Sequence, residues 1–281
     1  MKKILLTFVA AIALSGPAYA GPFIIDGTDS DDHGFAVGSA NQNGWLYIQK
    51  ALENIASSSQ LTQTQKNVAI LGASSTALTA AQSAVNALGG GWTFTSYVGA
   101  AGVNTFFGNT AGSSVLYIAS DGVSGGTTSS ISTALTANAA NIDAFVGAGG
   151  GLFSMGQSYG WLSALIPGLV ASTTTTGDSQ TINLTPAGNA AFPGLTNAQL
   201  STGPYHYTFT NTGAIPVLGI EGSAGSQGRA VILGSSGGSI TNPNPPGAVP
   251  EPSTWAMLIL GFGAVGATMR SRRQTARVRF A

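Results

Sequence analysis

Cysteine is missing from all 281 residues, which excludes disulfide cross-links, a thiol nucleophile and thiolate metal sites. Charge is nearly as scarce: ten basic and ten acidic residues make up 7% of the chain, beside two histidines, His33 and His206. The even balance hides an asymmetry. Lys2, Lys3, Arg270, Arg272, Arg273, Arg277 and Arg279 all lie near the two ends, leaving Lys50, Lys66 and Arg229 against nine acids between Gly21 and Pro250. That body carries a net charge of −6, which argues against nucleic acid as a partner, because such binding needs clustered Lys and Arg against the phosphates. With 40 glycines and so few charges, its surface must be covered by Ser, Thr, Asn and Gln.

What is present is most distinctive at the C-terminal end. Val249-Pro250-Glu251-Pro252-Ser253-Thr254 leads into Trp255, an uncharged apolar run to Met269, and then Arg270, Arg272 and Arg273. Trp favours the headgroup interface, an apolar helix hides its backbone polar groups from lipid, and clustered Arg stays on the cytoplasmic side. Residues 255–269 are therefore expected to form a transmembrane helix. As a helix this run is roughly 22 Å long, against a hydrocarbon core of about 30 Å, so it suits a transient anchor better than a permanent one. It has no polar face, which disfavours an amphipathic helix packed on a soluble domain.

These residues, together with the Gly261-Phe262-Gly263 step, resemble the PEP-CTERM sorting signal of Gram-negative bacteria. The resemblance implies export, transient retention in the inner membrane and processing near Pro-Glu-Pro by an exosortase, often in species that make extracellular polysaccharide. The tail Gln274 to Ala281 runs beyond the arginines, where such signals usually stop.

The other end agrees. Lys2 and Lys3, the apolar run Ile4 to Leu14, and Ala18-Tyr19-Ala20 before Gly21 form the pattern of a secretory signal peptide, with cleavage expected after Ala20. Sec-type export machinery and signal peptidase are the implied partners. The expected organisation is a signal peptide over 1–20 and one α/β domain over 21–234. A Gly/Pro/Asn linker follows over 235–248, then the sorting signal over 249–273 and a cytoplasmic tail over 274–281.

Within the body, Phe23-Ile24-Ile25 predicts a strand that runs into Asp26-Gly27-Thr28-Asp29-Ser30-Asp31-Asp32-His33. Asp26, Asp29, Asp31 and Asp32 are hard oxygen donors suited to calcium, although the spacing departs from the twelve-residue calcium loop. The plainer reading is a solvated acidic turn after a strand. A helix is predicted from Asn43, with Trp45, Ile48, Leu52 and Ile55 as its apolar stripe. Asn67 to Gly72 reads as a strand buried on both faces. A helix over Thr76 to Leu88 is ended by Gly89-Gly90-Gly91, followed by a strand over Trp92 to Val98. A short helix around Val103 to Phe107, a strand over Ser114 to Ala119, and a single helix over Ile131 to Val146 come next. The run Gly149-Gly150-Gly151-Leu152-Phe153-Ser154-Met155-Gly156 reads as a strand that leads through Gln157-Ser158 into a helix over Tyr159 to Leu165. The alternation predicts a doubly wound, mostly parallel sheet covered on both faces. After Leu169, short strands are expected at Thr173–Thr176, Thr181–Leu184, Tyr205–Thr210, Pro216–Ile220 and Ala230–Gly234, extending the sheet at its edge.

This order of elements resembles the flavodoxin-like sheet of the class I glutamine amidotransferase superfamily, which has carbohydrate-linked and non-catalytic relatives. Gly150-Gly151-Leu152-Phe153-Ser154-Met155-Gly156-Gln157, Pro193-Gly194-Leu195 before Gly203-Pro204-Tyr205-His206, and Arg229 to Gly234 carry the likeness. In that superfamily a Cys nucleophile occupies the strand-to-helix elbow. Here Ser154 is the nearest occupant, and a serine nucleophile would need a base such as His206 within hydrogen-bond reach. The Gly-x-Ser-x-Gly pattern is not met. The glycine triplets lack the Lys-Ser/Thr or dinucleotide spacing of phosphate loops and read as helix stops.

Two functions follow as expectations. One is a non-catalytic surface or ligand-binding module of the cell surface or exopolysaccharide matrix, with no cofactor. The other is a secreted hydrolase or carbohydrate-active enzyme using Ser154 and His206.

Overall fold

A computed structural model describes residues 21–110, 112–155, 160–173, 181–202, 207–213, 215–222 and 228–235. The first half runs β1 (Phe23–Asp26), a hairpin of β2 (Gly34–Val37) and β3 (Ala40–Gln42), α1 (Asn43–Ser57), β4 (Asn67–Gly72), α2 (Ser75–Leu88), β5 (Thr93–Val98), α3 (Gly99–Gly108) and β6 (Val115–Ile118). Then come α4 (Ser129–Ala137), α5 (Ala139–Gly147), β7 (Gly151–Met155), α6 (Leu162–Leu165), β8 (Val170–Thr173) and β9 (Ile182–Leu184). The last elements are α7 (Pro186–Ala191), α8 (Asn197–Leu200), β10 (Tyr207–Thr210), β11 (Val217–Glu221) and β12 (Ala230–Ser235).

Strands β5, β4, β6, β7 and β1 lie side by side in that order, each parallel to its neighbours. The runs of β4, β6, β7 and β1 are buried on both faces and lack regular polar alternation, whereas the edge strand β5, Thr93-Phe94-Thr95-Ser96-Tyr97-Val98, alternates. Ile24, Val68, Ile70, Tyr117 and Phe153 share a core with α1 and α2, whereas Ile25, Leu71, Leu116, Ile118 and Leu152 share a second core with α3 to α6. Counted from β4, the spatial order is the 2-1-3-4-5 of flavodoxin-like sheets, with the fifth position filled by the chain's first strand. The mixed α/β class with a mostly parallel central sheet is thus present.

The C-terminal strands depart from expectation. Rather than only extending an edge, β12 inserts beside β1, antiparallel, with Phe23 to Asp26 facing Ser235 to Ile232. Ile232 and Leu233 pair with β1 and with β11, so these two strands flank β12 on opposite edges. The reason is chemical: Ala230-Val231-Ile232-Leu233 has no polar alternation and is buried throughout, which only an interior strand allows. Phe209 of β10 pairs with Ala230, β8 pairs with β10, and β9 pairs with β11.

Other boundaries also moved. The single helix expected over 131–146 is two, broken at Asn138, whose backbone turns to φ −105°, ψ 11°. Its side-chain amide donates to Ala134 O at 2.9 Å and to Asn104 Oδ1 at 3.0 Å, competing with the helical ladder. The strand expected at 173–176 lies at Val170–Thr173. The helix expected from Tyr159 begins, among the described residues, at Leu162. The hairpin β2–β3 and helices α7 and α8 are additional to the elements expected.

The described residues all belong to one compact unit. Among the described residues no helix is long and apolar enough to cross a membrane. The signal peptide over 1–20, the linker beyond Ser235, the span over 255–269 and the tail lie outside the described residues.

Candidate functional site

The carboxyl ends of the parallel strands are where α/β sheets place ligands, above all where the strand order reverses. Here the reversal falls between β4 and β6. That crevice is closed by the loop after β6: Ser74 N–H donates to Gly125 O at 2.8 Å and Ala77 N–H to Ser124 O at 3.2 Å. Gly125 sits at φ +78°, and a Cβ there would lie 2.2 Å from Ser74 O, so the contact requires glycine.

The acidic segment leaves β1 at the same end of the sheet and is not a solvated turn. Asp26, Asp29 and Asp31 are buried, and only Asp32 is exposed. Local hydrogen bonding explains how. Thr28 donates from its backbone N–H to Asp26 Oδ1 at 3.1 Å and from its hydroxyl to Oδ2 at 2.5 Å, while the Thr28 and Ser30 hydroxyls are 2.5 Å apart. Asp31 reaches the end of β6, where Ser120 donates its N–H at 3.0 Å and its hydroxyl at 2.6 Å. Asp29 pairs with His33 at 3.5 Å. The indole N–H of Trp45, on the first turn of α1, donates to Asp31 O at 2.9 Å.

Burial shapes the electrostatics. Loss of solvent pushes the Asp26 carboxyl from 3.8 up to about 7, against the lowering effect of the Thr28 bonds and with help from the charges of Asp31 and Asp29. Asp31 rises likewise to about 7 through burial, against its bonds from Ser120. The Tyr117 phenol is raised by burial and then by the charges of Asp31 and Asp26, and its hydroxyl has no hydrogen-bond partner among the described residues. Among the described residues, no three His, Asp or Glu side chains form a group that can hold a metal ion.

Ser154 is elsewhere. It lies inside β7, in register with Ile25 and Ile118, not on a strand-to-helix turn. Its neighbours Phe153 and Met155 enter the α1–α2 core, so alternation turns Ser154 to the opposite face from Asp26, which alternates with Ile25. Its hydroxyl is fully buried and without a hydrogen-bond partner among the described residues. His206 lies outside the described residues, as do Gly156 and Gln157.

Three surface clefts, of about 480, 410 and 330 Å³, contain none of Asp26, Asp29, Asp31, Ser120 or Ser154 in their walls. Gly21, the expected first residue after signal cleavage, is buried. Its N–H donates to Val146 O at 2.7 Å, and a Cβ there would lie 1.9 Å from Gly150 O. Ala18, Ala20 and the sorting residues from Val249 to Arg273 lie outside the described residues.

Against known families, residues 248–273 match the PEP-CTERM protein-sorting motif. The chain carries a PEP-CTERM sorting motif. The match spans the Pro250-Glu251-Pro252 triplet, the apolar run and the arginines. The motif implies an exported protein sorted through the membrane, with exosortase as its processing partner. Comparison of the whole chain with curated proteins and with solved structures returns no match.

Proposed function

We propose that this PEP-CTERM protein delivers a non-catalytic, ligand-binding α/β domain to the cell surface or the extracellular polysaccharide matrix. A Sec-type signal peptide removed after Ala20 starts the route, and exosortase processing near Pro250-Glu251-Pro252 completes it. The segment 235–248, rich in Gly, Asn and Pro, serves as the spacer between domain and membrane.

The observation that carries the non-catalytic reading is the use made of the acidic segment. Asp26 is turned inward onto Thr28 and Asp31 onto Ser120, the latter tying the loop after β1 to β6, and neither lines any of the three clefts. Ser154 points into the opposite core. The test is turnover of ester and glycoside substrates by the purified protein. No turnover is expected. Turnover that disappears in a Ser154→Ala, His206→Ala double variant would replace this reading with that of a secreted hydrolase.

A further inference from the structure

The largest of the three clefts, of about 480 Å³, lies along the solvent side of α1. Trp92 and Leu88 form one wall, Lys50, Glu53, Asn54 and Ser57 another, and Ala190 with Ala191 a third. Asn54, Ala190 and Ala191 also line the 330 Å³ cleft, so the two join into one groove past α7. Its size falls in the usual range for small-ligand sites, about 300 to 1,000 Å³.

The polar groups in this groove are held in place before any ligand arrives. Glu53 Oε1 accepts from Gln49 Nε2 at 2.7 Å and Oε2 from Lys50 Nζ at 2.8 Å, at i,i+4 and i,i+3 spacing on one helix. Each carboxylate oxygen keeps a further lone pair. Asn54 Nδ2 donates to Ala191 O at 3.1 Å, which orients the amide and leaves Oδ1 without a protein partner among the described residues. The Trp92 indole N–H likewise has no protein acceptor there. Trp92 is half-buried and lines the cleft.

We infer that this groove binds a neutral oligosaccharide. This deepens the ligand-binding reading above and rests on it. A fixed carboxylate and an amide oxygen accept from adjacent hydroxyls, an indole N–H donates to a ring or hydroxyl oxygen, and an indole face packs on the C–H face of a pyranose. Beyond Trp92 and Leu88 the apolar lining is small, Ala56, Ala190, Ala191 and Pro193, and offers little to the large aliphatic or aromatic side chains that anchor peptides. A polyanionic glycan is disfavoured by the body's net charge of −6 and by a cleft whose cation is already paired with Glu53.

The test is titration of the full-length protein in detergent with linear glucose, xylose and galactose tetrasaccharides, and with a uronic acid tetrasaccharide, followed by tryptophan fluorescence and calorimetry. Binding of a neutral tetrasaccharide with a Kd of about 1 mM or tighter is expected. Trp92→Ala should weaken it about tenfold and Trp92→Phe much less, with unchanged circular dichroism. Glu53→Gln should weaken it, and Asn141→Ala, in the 410 Å³ cleft, should not. No binding of any neutral tetrasaccharide, tighter binding of the uronic acid form, or equal binding by Trp92→Ala would overturn the inference. Sorting and the absence of turnover are read separately, so this failure is distinguishable from failure of the broader function.

Discussion

Asp31 and Ser120 stand 89 residues apart in the chain, yet the Asp31 carboxylate accepts both the N–H and the hydroxyl of Ser120, at 3.0 and 2.6 Å. The loop after β1 is thereby fastened to the end of β6, across the intervening β7. A buried carboxylate is costly unless its lone pairs are used, and this bond is how the acidic segment meets that cost.

Ser120→Ala removes one donor from that carboxylate. At pH 8, where Asp31 is ionised, the loss is expected to be about 1.5–3 kcal/mol, the usual worth of a hydrogen bond to a charged group. It should be smaller at pH 5, where the carboxyl holds its proton. Urea unfolding at the two pH values checks this, and an equal loss at both would count against it.

The pH dependence of stability follows from Asp26 and Asp31, both raised from 3.8 to about 7. A carboxyl that binds its proton more tightly folded than unfolded stabilises the fold where it is protonated. That contribution is complete below about pH 4 and is lost as pH rises through about 7. The urea midpoint should therefore fall between pH 4 and 7 and level off above, with a slope of about 1.4 kcal/mol per pH unit for each extra proton held. Asp26→Asn and Asp31→Asn should each flatten it. A midpoint that rises across this window would contradict the burial of these groups.

Gly44, on the first turn of α1, touches the acidic segment so closely that a Cβ would lie 2.1 Å from Ser30 O and 3.0 Å from His33 O. Gly44→Ala improves helix propensity by about 1 kcal/mol, but the clash with backbone should outweigh it. A net loss of about 1–3 kcal/mol is expected in thermal or urea unfolding. A stabilised variant would mean that the loop does not pack on α1 as described.

Ser154→Ala tests the placement of the Ser154 hydroxyl inside β7. The hydroxyl is buried with no hydrogen-bond partner among the described residues, so its removal should leave stability unchanged or raise it by about 1 kcal/mol. A loss of more than about 2 kcal/mol in urea unfolding would reveal a hydrogen bond to this hydroxyl.

Much of the parallel core was legible because its signals are local. The run Asn67 to Gly72, the α1 stripe through Ile48, Leu52 and Ile55, and the glycine stop after Leu88 each follow from periodicity or backbone freedom, and Gly89, Gly90 and Gly91 all have positive φ. Helices α7 and α8 carry local signals of their own, Thr185-Pro186, a cap followed by proline, and the capping box of Thr196 and Gln199, although neither has the length or apolar stripe that marks the longer helices. The position of β12 was beyond reach of local pattern, since strand order depends on contacts distant in sequence. The burial of the acidic segment is hidden from local pattern for a similar reason. Its density of Asp reads as solvated, and only the distant Ser120 and the neighbouring Thr28 make its burial affordable.

The most direct measurement of the central claim is the mass and location of the protein in cells with and without a functional exosortase. With the enzyme, the chain should be found outside the inner membrane, beginning at Gly21 and lacking the segment beyond the Pro250-Glu251-Pro252 region. Without it, the chain should stay in the inner membrane with its C-terminal arginines intact. An uncut chain in the cytosol, or the same C-terminal mass and location in both strains, would contradict the reading of this protein as an exosortase-sorted export.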